Sequence, residues 1–274
     1  MSEPDYLEVP APPPLDTLIH CFWFLRGPMA GAGVQTVVPD GRIEIVLHLA
    51  EPFSEVDAAG VARPQAEALL AGQLTAPILL LPGGRSDVVG IRFRSAAARC
   101  VLGFPVSEIS GRVARLADHG SRLAGELLTA ASRHRLPADR TRALASVLLR
   151  FVREEPQGLV DAAVRSFDAP RPPTVGRVAR QLGVDRRTLE RRILREVGLS
   201  PRMLLRVLRF RRAFGLLDRA PPGHGARMAA AAGYYDQAHL IRDFRRFAGA
   251  TPSAFLESDP ALARALASGG TTGV

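Results

Sequence analysis

Two stretches of this chain put arginine, glutamine and glutamate near the start of a helical pattern, and those side chains can read base edges. Arginine matches O6 and N7 of guanine, and glutamine matches N6 and N7 of adenine. The stretches are RVARQLGVDRRTLERRILREVGLSP at 177–201 and RMAAAAGYYDQAHLIRDFRRFAGATP at 227–252. They are two copies of one unit. With one extra residue allowed after the glycine of the second copy, Gly183 matches Gly233, Leu189 matches Leu240, Arg191 matches Arg242, Ile193 matches Phe244, Arg195 matches Arg246, Gly198 matches Gly249, and Ser200-Pro201 matches Thr251-Pro252.

Each copy reads as a short alanine-bearing helix, a glycine turn and a second helix, which is the helix-turn-helix pattern. Leu189 and Ile193, and Leu240, Phe244 and Phe247, repeat at helical spacing and should face a core. The opposite faces then carry Arg187, Glu190, Arg191 and Arg195 in the first copy, and Gln237, Ala238, Ile241, Arg242 and Arg245 in the second. Early residues suit base edges, and later arginines suit phosphates. Ser-Pro and Thr-Pro have the form of an N-cap followed by proline at the first helical position, so each motif leads into a further helix. Between the copies, PRMLLRVLRFRRAFGLLD has no breaker before Pro221-Pro222 and reads as one spacing helix. If it holds the motifs rigidly, their second helices enter successive major grooves, roughly 34 Å apart. Its own Arg202, Arg206, Arg209, Arg211 and Arg212 are phosphate or ion-pair residues rather than base readers.

The charge agrees. All 36 basic residues are arginine, and the formal net charge is +9. Residues 1–170 hold 17 Arg against 19 acidic residues, whereas 171–257 hold 18 Arg against 7. A positive charge confined to one segment is the electrostatic footprint of polyanion binding.

The elements before that segment are of another kind. From about 15 to 104 the period is near two: RIEIVLHL sets Ile43, Ile45, Leu47 and Leu49 against Arg42, Glu44 and His48, and VVGIRFR sets Val89, Ile91 and Phe93 against Arg92 and Arg94. HCFWFL is apolar on both faces and reads as a fully buried strand. Strands punctuated by turns such as PDG and PGG argue for an antiparallel sandwich or barrel. From 106 to 168 leucine, valine and alanine recur at helical intervals. DAPRPPT is a linker by composition.

Residues 174–256 resemble the DNA-binding domain of the AraC/XylS family of transcriptional regulators. Gly233-Tyr234, Asp236-Gln237-Ala238-His239-Leu240, Phe244-Arg245-Arg246, and Gly249 with Thr251-Pro252-Ser253-Ala254-Phe255 carry that likeness. It implies base reading by Arg187, Glu190 and Arg191, then by Gln237, Ala238, His239 and Arg242, with Arg186, Arg195, Arg245 and Arg246 on the DNA backbone. Ala238 can offer only a contact to a thymine methyl. The CFWF, VPDGRIEIVLHL, LAGQLTAPILL and VVGIRFRSAAA segments look like the β-rich sensory domain that precedes this module in one branch of the family.

The expected architecture is α+β and multidomain. A β-rich sensory domain, an antiparallel sandwich or cupin-like barrel, covers 1–105. A helical segment at 106–168 either packs on it or pairs two subunits, and 169–173 is the linker. An all-α double helix-turn-helix domain covers 174–257, with motifs near 175–197 and 226–248, and a tail covers 258–274. The implied function is sequence-specific transcriptional regulation in the cytoplasm. Double-stranded DNA is the partner, and RNA polymerase joins it if the protein activates. The N-terminal domain senses a small-molecule effector or mediates self-association as a homodimer. Arg42, Glu44, His48, Arg92 and Arg94 either line an effector pocket or form a solvated sheet face, the solvated face being the simpler account.

No metal or cofactor is expected. His48 lacks a paired histidine, His20 is distant, and Cys21 and Cys100 read as small buried hydrophobes. GxSxG, HExxH, P-loop and GxGxxG motifs are missing, so enzymatic chemistry is not expected. A repair methyltransferase fused to this kind of module needs a cysteine-rich zinc site. The alternative from another class is a metabolite-acting, cupin-like enzyme fused to a DNA-binding module. No segment is apolar enough to span a membrane, and the proline-rich, acidic start is no secretory signal.

Overall fold

The computed structural model describes residues 5–29, 32–155, 158–217 and 225–257. The Pro221-Pro222 breaker and the 258–274 tail lie outside the described residues. The strands are β1 Asp5–Pro10, β2 Ile19–Pro28, β3 Gln35–Val37, β4 Glu44–His48, β5 Ser54–Val56, β6 Ala62–Pro64, β7 Ala68–Ala71, β8 Ile78–Leu81, β9 Arg85–Phe93 and β10 Val113–Arg115. They form two antiparallel sheets, one of six strands in the order β1-β2-β9-β4-β7-β10 and one of four in the order β3-β8-β5-β6. The helices are α1 Ala98–Leu102, α2 Ala117–Ser132, α3 Pro137–Leu149, α4 Gly158–Phe167, α5 Val175–Gln181, α6 Arg186–Val197, α7 Pro201–Leu216, α8 Gly225–Ala232, α9 Gln237–Ala248 and α10 Pro252–Glu257. Among the described residues no helix is long and apolar enough to cross a membrane.

The large sheet is covered on both sides, which is why HCFWFL is apolar on both faces. Phe22 and Phe24 point into a core shared with Ile45, Leu47, Ile91, Leu127 and Leu144, beneath α1 to α3. Trp23 and Leu25 point the other way, to Phe53, Leu80 and Val88, beneath the small sheet. Gly90 sits opposite Trp23 in the ladder. A Cβ there would lie 1.8 Å from the indole, so this position has room for glycine alone.

Three features depart from the sequence reading. The face of β4 and β9 that carries Glu44, His48 and Arg92 is not solvated, because the small sheet roofs it. Its strands are only three or four residues long, too short to announce themselves by alternation. A strand, β10, lies inside the stretch read as helical and pairs with β7 at the edge of the large sheet. Finally, the helices of 106–168 divide: α2 and α3 join the first core, while Val160, Ala163, Val164 and Phe167 of α4 join the core of the C-terminal helices.

Candidate functional site

The C-terminal helices assemble as α5-turn-α6 and α8-turn-α9 on either side of α7. Thr174 caps α5. Asp185 caps α6, accepting from the Thr188 N–H at 2.9 Å, and Asp236 caps α9, accepting from the His239 N–H at 2.6 Å. Gly183 and Gly233 make the turns at φ +69° and +85°. Each second helix ends at a left-handed glycine, Gly198 or Gly249, and is followed by Ser200 or Thr251 as the next N-cap. These are the cap and proline signals of the sequence, in place in both copies. Leu189, Ile193, Leu240, Phe244 and Phe247 are buried together with Phe210 and Phe214 of α7.

On the outer face of α6, Arg187, Arg191 and Arg195 are exposed. Arg186 is exposed too, but it donates from Nε to Glu190 at 2.7 Å, so these two residues form an i,i+4 pair on the helix. On α9, Gln237, Ala238, Arg242, Arg245 and Arg246 are exposed. Arg246 lies over the Phe247 ring at 5.8 Å. His239 differs from its neighbours: it is half-buried, edge-on to Tyr234 at 5.0 Å, with Nε2 3.9 Å from Asp243. Tyr235, directly ahead of the Asp236 cap, is 94% exposed, and no periodicity singled it out.

Four arginines of α7 do structural work. Arg206 donates to Asp243 of α9 at 2.6 Å, and Arg209 lies 5.2 Å from the Tyr234 ring. Arg211 bridges Asp168 at 2.7 Å and the Asp40 carbonyl at 3.2 Å, and Arg212 reaches Asp168 as well. The β domain therefore touches the C-terminal helices directly. Gly41 packs on Val207 and Leu208, and the Ser110 hydroxyl donates to the Gly198 carbonyl at the end of α6.

Between the two sheets lies a cavity of about 90 Å³, lined by Trp23, Leu25, Val46, Phe53, Leu80 and Val88 together with Arg42, Glu44, His48 and Arg92. Four of the five residues named as a pocket thus come together. Arg94 does not join them, because it lies past the end of β9, exposed, donating to the Asp16 carbonyl. Arg92 is 1% exposed and is gripped by Glu44 at 2.5 Å and Glu8 at 2.6 Å. Burial works against its charge, but the Glu44 and Asp40 carboxylates outweigh that and raise its pKa. Trp23 donates to the other Glu44 oxygen at 3.1 Å. For Arg42 burial prevails and lowers the pKa, its Asp40 partner standing 3.8 Å away. Burial also holds His48 down to about 4.

Sequence spacing gave no hint that Glu8, His20 and Cys21 meet, with possible ligand atoms within 4.8 Å of one another. The surroundings oppose a cation. Glu8 is held by Arg92 and by the Tyr6 hydroxyl, and burial pushes the Cys21 thiol up to about 12. Burial, with Arg42, Arg92 and Arg94 nearby, brings His20 down to about 4. Cys100 packs in the first core.

Two capped helix-turn-helix units on a common spacing helix, each with exposed arginines along its second helix, define a DNA-binding protein of the double helix-turn-helix class. Residues 178–258 match the family model described as a helix-turn-helix domain, and residues 7–115 match that of a domain of unknown function, DUF6597. The C-terminal domain belongs to the AraC-type helix-turn-helix family, and the protein is a DNA-binding transcriptional regulator. Among solved structures, the chain is similar to a transcriptional regulator with an AraC-type DNA-binding domain from Chromobacterium violaceum (25% identity, 38% of this chain and 94% of that one, TM-score 0.35). It is similar to the DNA-binding domain of AdpA, solved with a target DNA (26%, 40% and 92%, 0.32), and to ToxT from Vibrio cholerae (13%, 82% and 96%, 0.45). No curated protein matches the sequence significantly.

Proposed function

We propose that the regulator reads a bipartite operator with Arg187, Glu190 and Arg191 of α6 and with Gln237, Ala238, His239 and Arg242 of α9, while Arg186, Arg195, Arg245 and Arg246 serve the phosphate backbone. The observation that carries this is the repetition of one surface: in both copies the exposed arginines begin within the first two turns of a capped second helix. The cavity between the sheets receives a small-molecule effector rather than a substrate, the protein acts in the cytoplasm without catalysis, and RNA polymerase is a partner if it activates. A homodimer would extend the operator by symmetry. We place the reading domain at 174–257.

Selection of bound sites from random duplex DNA tests this. The expected motif has two half-sites about one turn apart. Arg187→Ala or Arg242→Ala should weaken binding by about 1–3 kcal/mol and relax preference at the base it contacts. Binding without preference over bulk DNA would overturn the reading. Stoichiometric iron or zinc in the purified protein would favour the enzymatic alternative.

A further inference from the structure

The cavity contains one side chain that the fold leaves unused. His48, the last residue of β4, is 4% exposed, and neither Nδ1 nor Nε2 has a hydrogen-bond partner among the described residues. The ring lies 5.2 Å from Phe53, and the nearby Gln65 side chain completes no bond of good geometry with it. An orphaned buried polar group is destabilising, so it calls for an explanation. Its surroundings specify the chemistry. Trp23, Leu25, Val46, Phe53 and Val88 supply apolar walls. The charged groups stand toward the other end of the strand, since Glu44 is four residues back along β4, about 13 Å away. There Glu44 and Arg92 are committed to each other, and Asp40 to Arg42.

We propose, resting on the reading of this cavity as the effector site, that it takes an uncharged, compact ligand: an apolar body with one hydroxyl or carbonyl group, held through that group by His48. The neutral imidazole offers both an N–H donor and a lone pair, so it can bond either group. An ionic head would lose its hydration at an uncharged ring. In size, an apolar cavity of roughly 150 Å³ accepts benzene, which places the ligand near or below a six-membered ring.

Trp23 is the only tryptophan of the chain and lines the cavity, so its emission reports occupancy. Full-length protein is titrated with cyclopentanol, cyclopentylammonium and cyclopentanecarboxylate, which share a ring and differ in the head group. Saturable change is expected with cyclopentanol, with the two ions at least ~10-fold weaker. His48→Leu should weaken cyclopentanol ~10-fold, and His48→Gln should recover most of that, with circular dichroism and DNA affinity unchanged in both. Arg42→Met should leave cyclopentanol within ~2-fold. Preference for cyclopentanecarboxylate, lost in Arg42→Met, overturns the proposed ligand class while the cavity remains an effector site. Unchanged cyclopentanol affinity in His48→Leu overturns the role of His48. If none of the three probes alters Trp23 emission, the effector site falls together with the proposal.

Discussion

The ion pair between α7 and α9 separates a structural arginine from a phosphate-binding one. Arg206 donates to a single Asp243 oxygen through Nη2 at 2.6 Å and Nε at 3.2 Å. The two side chains are unequally buried, Asp243 being 2% exposed and Arg206 30%. Arg206→Ala would strand a carboxylate in the core, whose second oxygen already lacks a hydrogen bond. Removing one partner of a buried pair costs about 3–5 kcal/mol. Asp243→Ala instead leaves a guanidinium that still reaches water and lies 5.5 Å from the Phe247 ring, so about 1–2 kcal/mol is expected. The double change Arg206→Met with Asp243→Leu should return close to the parent. Urea unfolding followed by far-ultraviolet circular dichroism measures the order. Fluorescence anisotropy with operator DNA at several salt concentrations supplies the second reading: a phosphate contact contributes about 0.9 to the salt slope, a purely structural arginine none. If Asp243→Ala proves the more damaging single change, or if Arg206→Ala leaves stability intact and lowers the slope, the reasoning fails.

Gly233 and Gly183 occupy equivalent turns at φ +85° and +69° but meet different surroundings. A Cβ on Gly233 would lie 2.6 Å from the Pro170 carbonyl, while Gly183 faces open space. Gly183→Ala should therefore cost about 1–2 kcal/mol for backbone strain alone and Gly233→Ala clearly more, and equal urea midpoints would contradict this. Acid sensitivity follows from His48, whose folded pKa of about 4 lies below its ordinary 6.5. The unfolded chain takes up the proton first, so stability falls as pH drops from about 6.5 toward 4, by at most about 1.4 kcal/mol per pH unit for this group. His20 acts in the same window. His48→Leu should remove part of the slope, and an unaltered pH profile would refute the assignment.

The reading domain was legible because its determinants are local. A turn glycine and a Ser-Pro or Thr-Pro exit act within one or two turns, and the chain writes them twice. The β domain was legible only strand by strand. Alternation in RIEIVLHL tells that Ile45 and Leu47 differ in fate from Glu44 and His48, but not what covers the second face. The cover comes from β3, β5, β6 and β8, brought over by turns and too short for a period to register. Between the two accounts left open for His48, pocket lining or a solvated sheet face, alternation could not choose; it lies in the interior of a sandwich, against the cavity. His239 shows a related limit. Its spacing along α9 is shared with the proposed base readers and does not reveal that Tyr234, in the turn ahead of the helix, offers it an edge-on ring.

The structure also refines the charge argument. Counting 18 arginines against 7 acids in 171–257 treats every charge alike, yet the acids are not distributed like the arginines. Asp185 and Asp236 are drawn to helix N-termini, where the backbone N–H groups hold them. Asp243 and Glu196 are buried, and Glu190 is taken by Arg186. Arg206, Arg211 and Arg212 are neutralised by Asp243 and Asp168. The arginines left to project positive potential outward thus include Arg187 and Arg191 on α6 and Arg242 and Arg245 on α9. The Arg211 and Arg212 pairs with Asp168, an acid from outside the segment, lower its net charge further. Several exposed arginines lie on the two helices whose spacing repeats in the sequence, so on the proposed reading affinity for phosphate and access to base edges arise on the same surfaces.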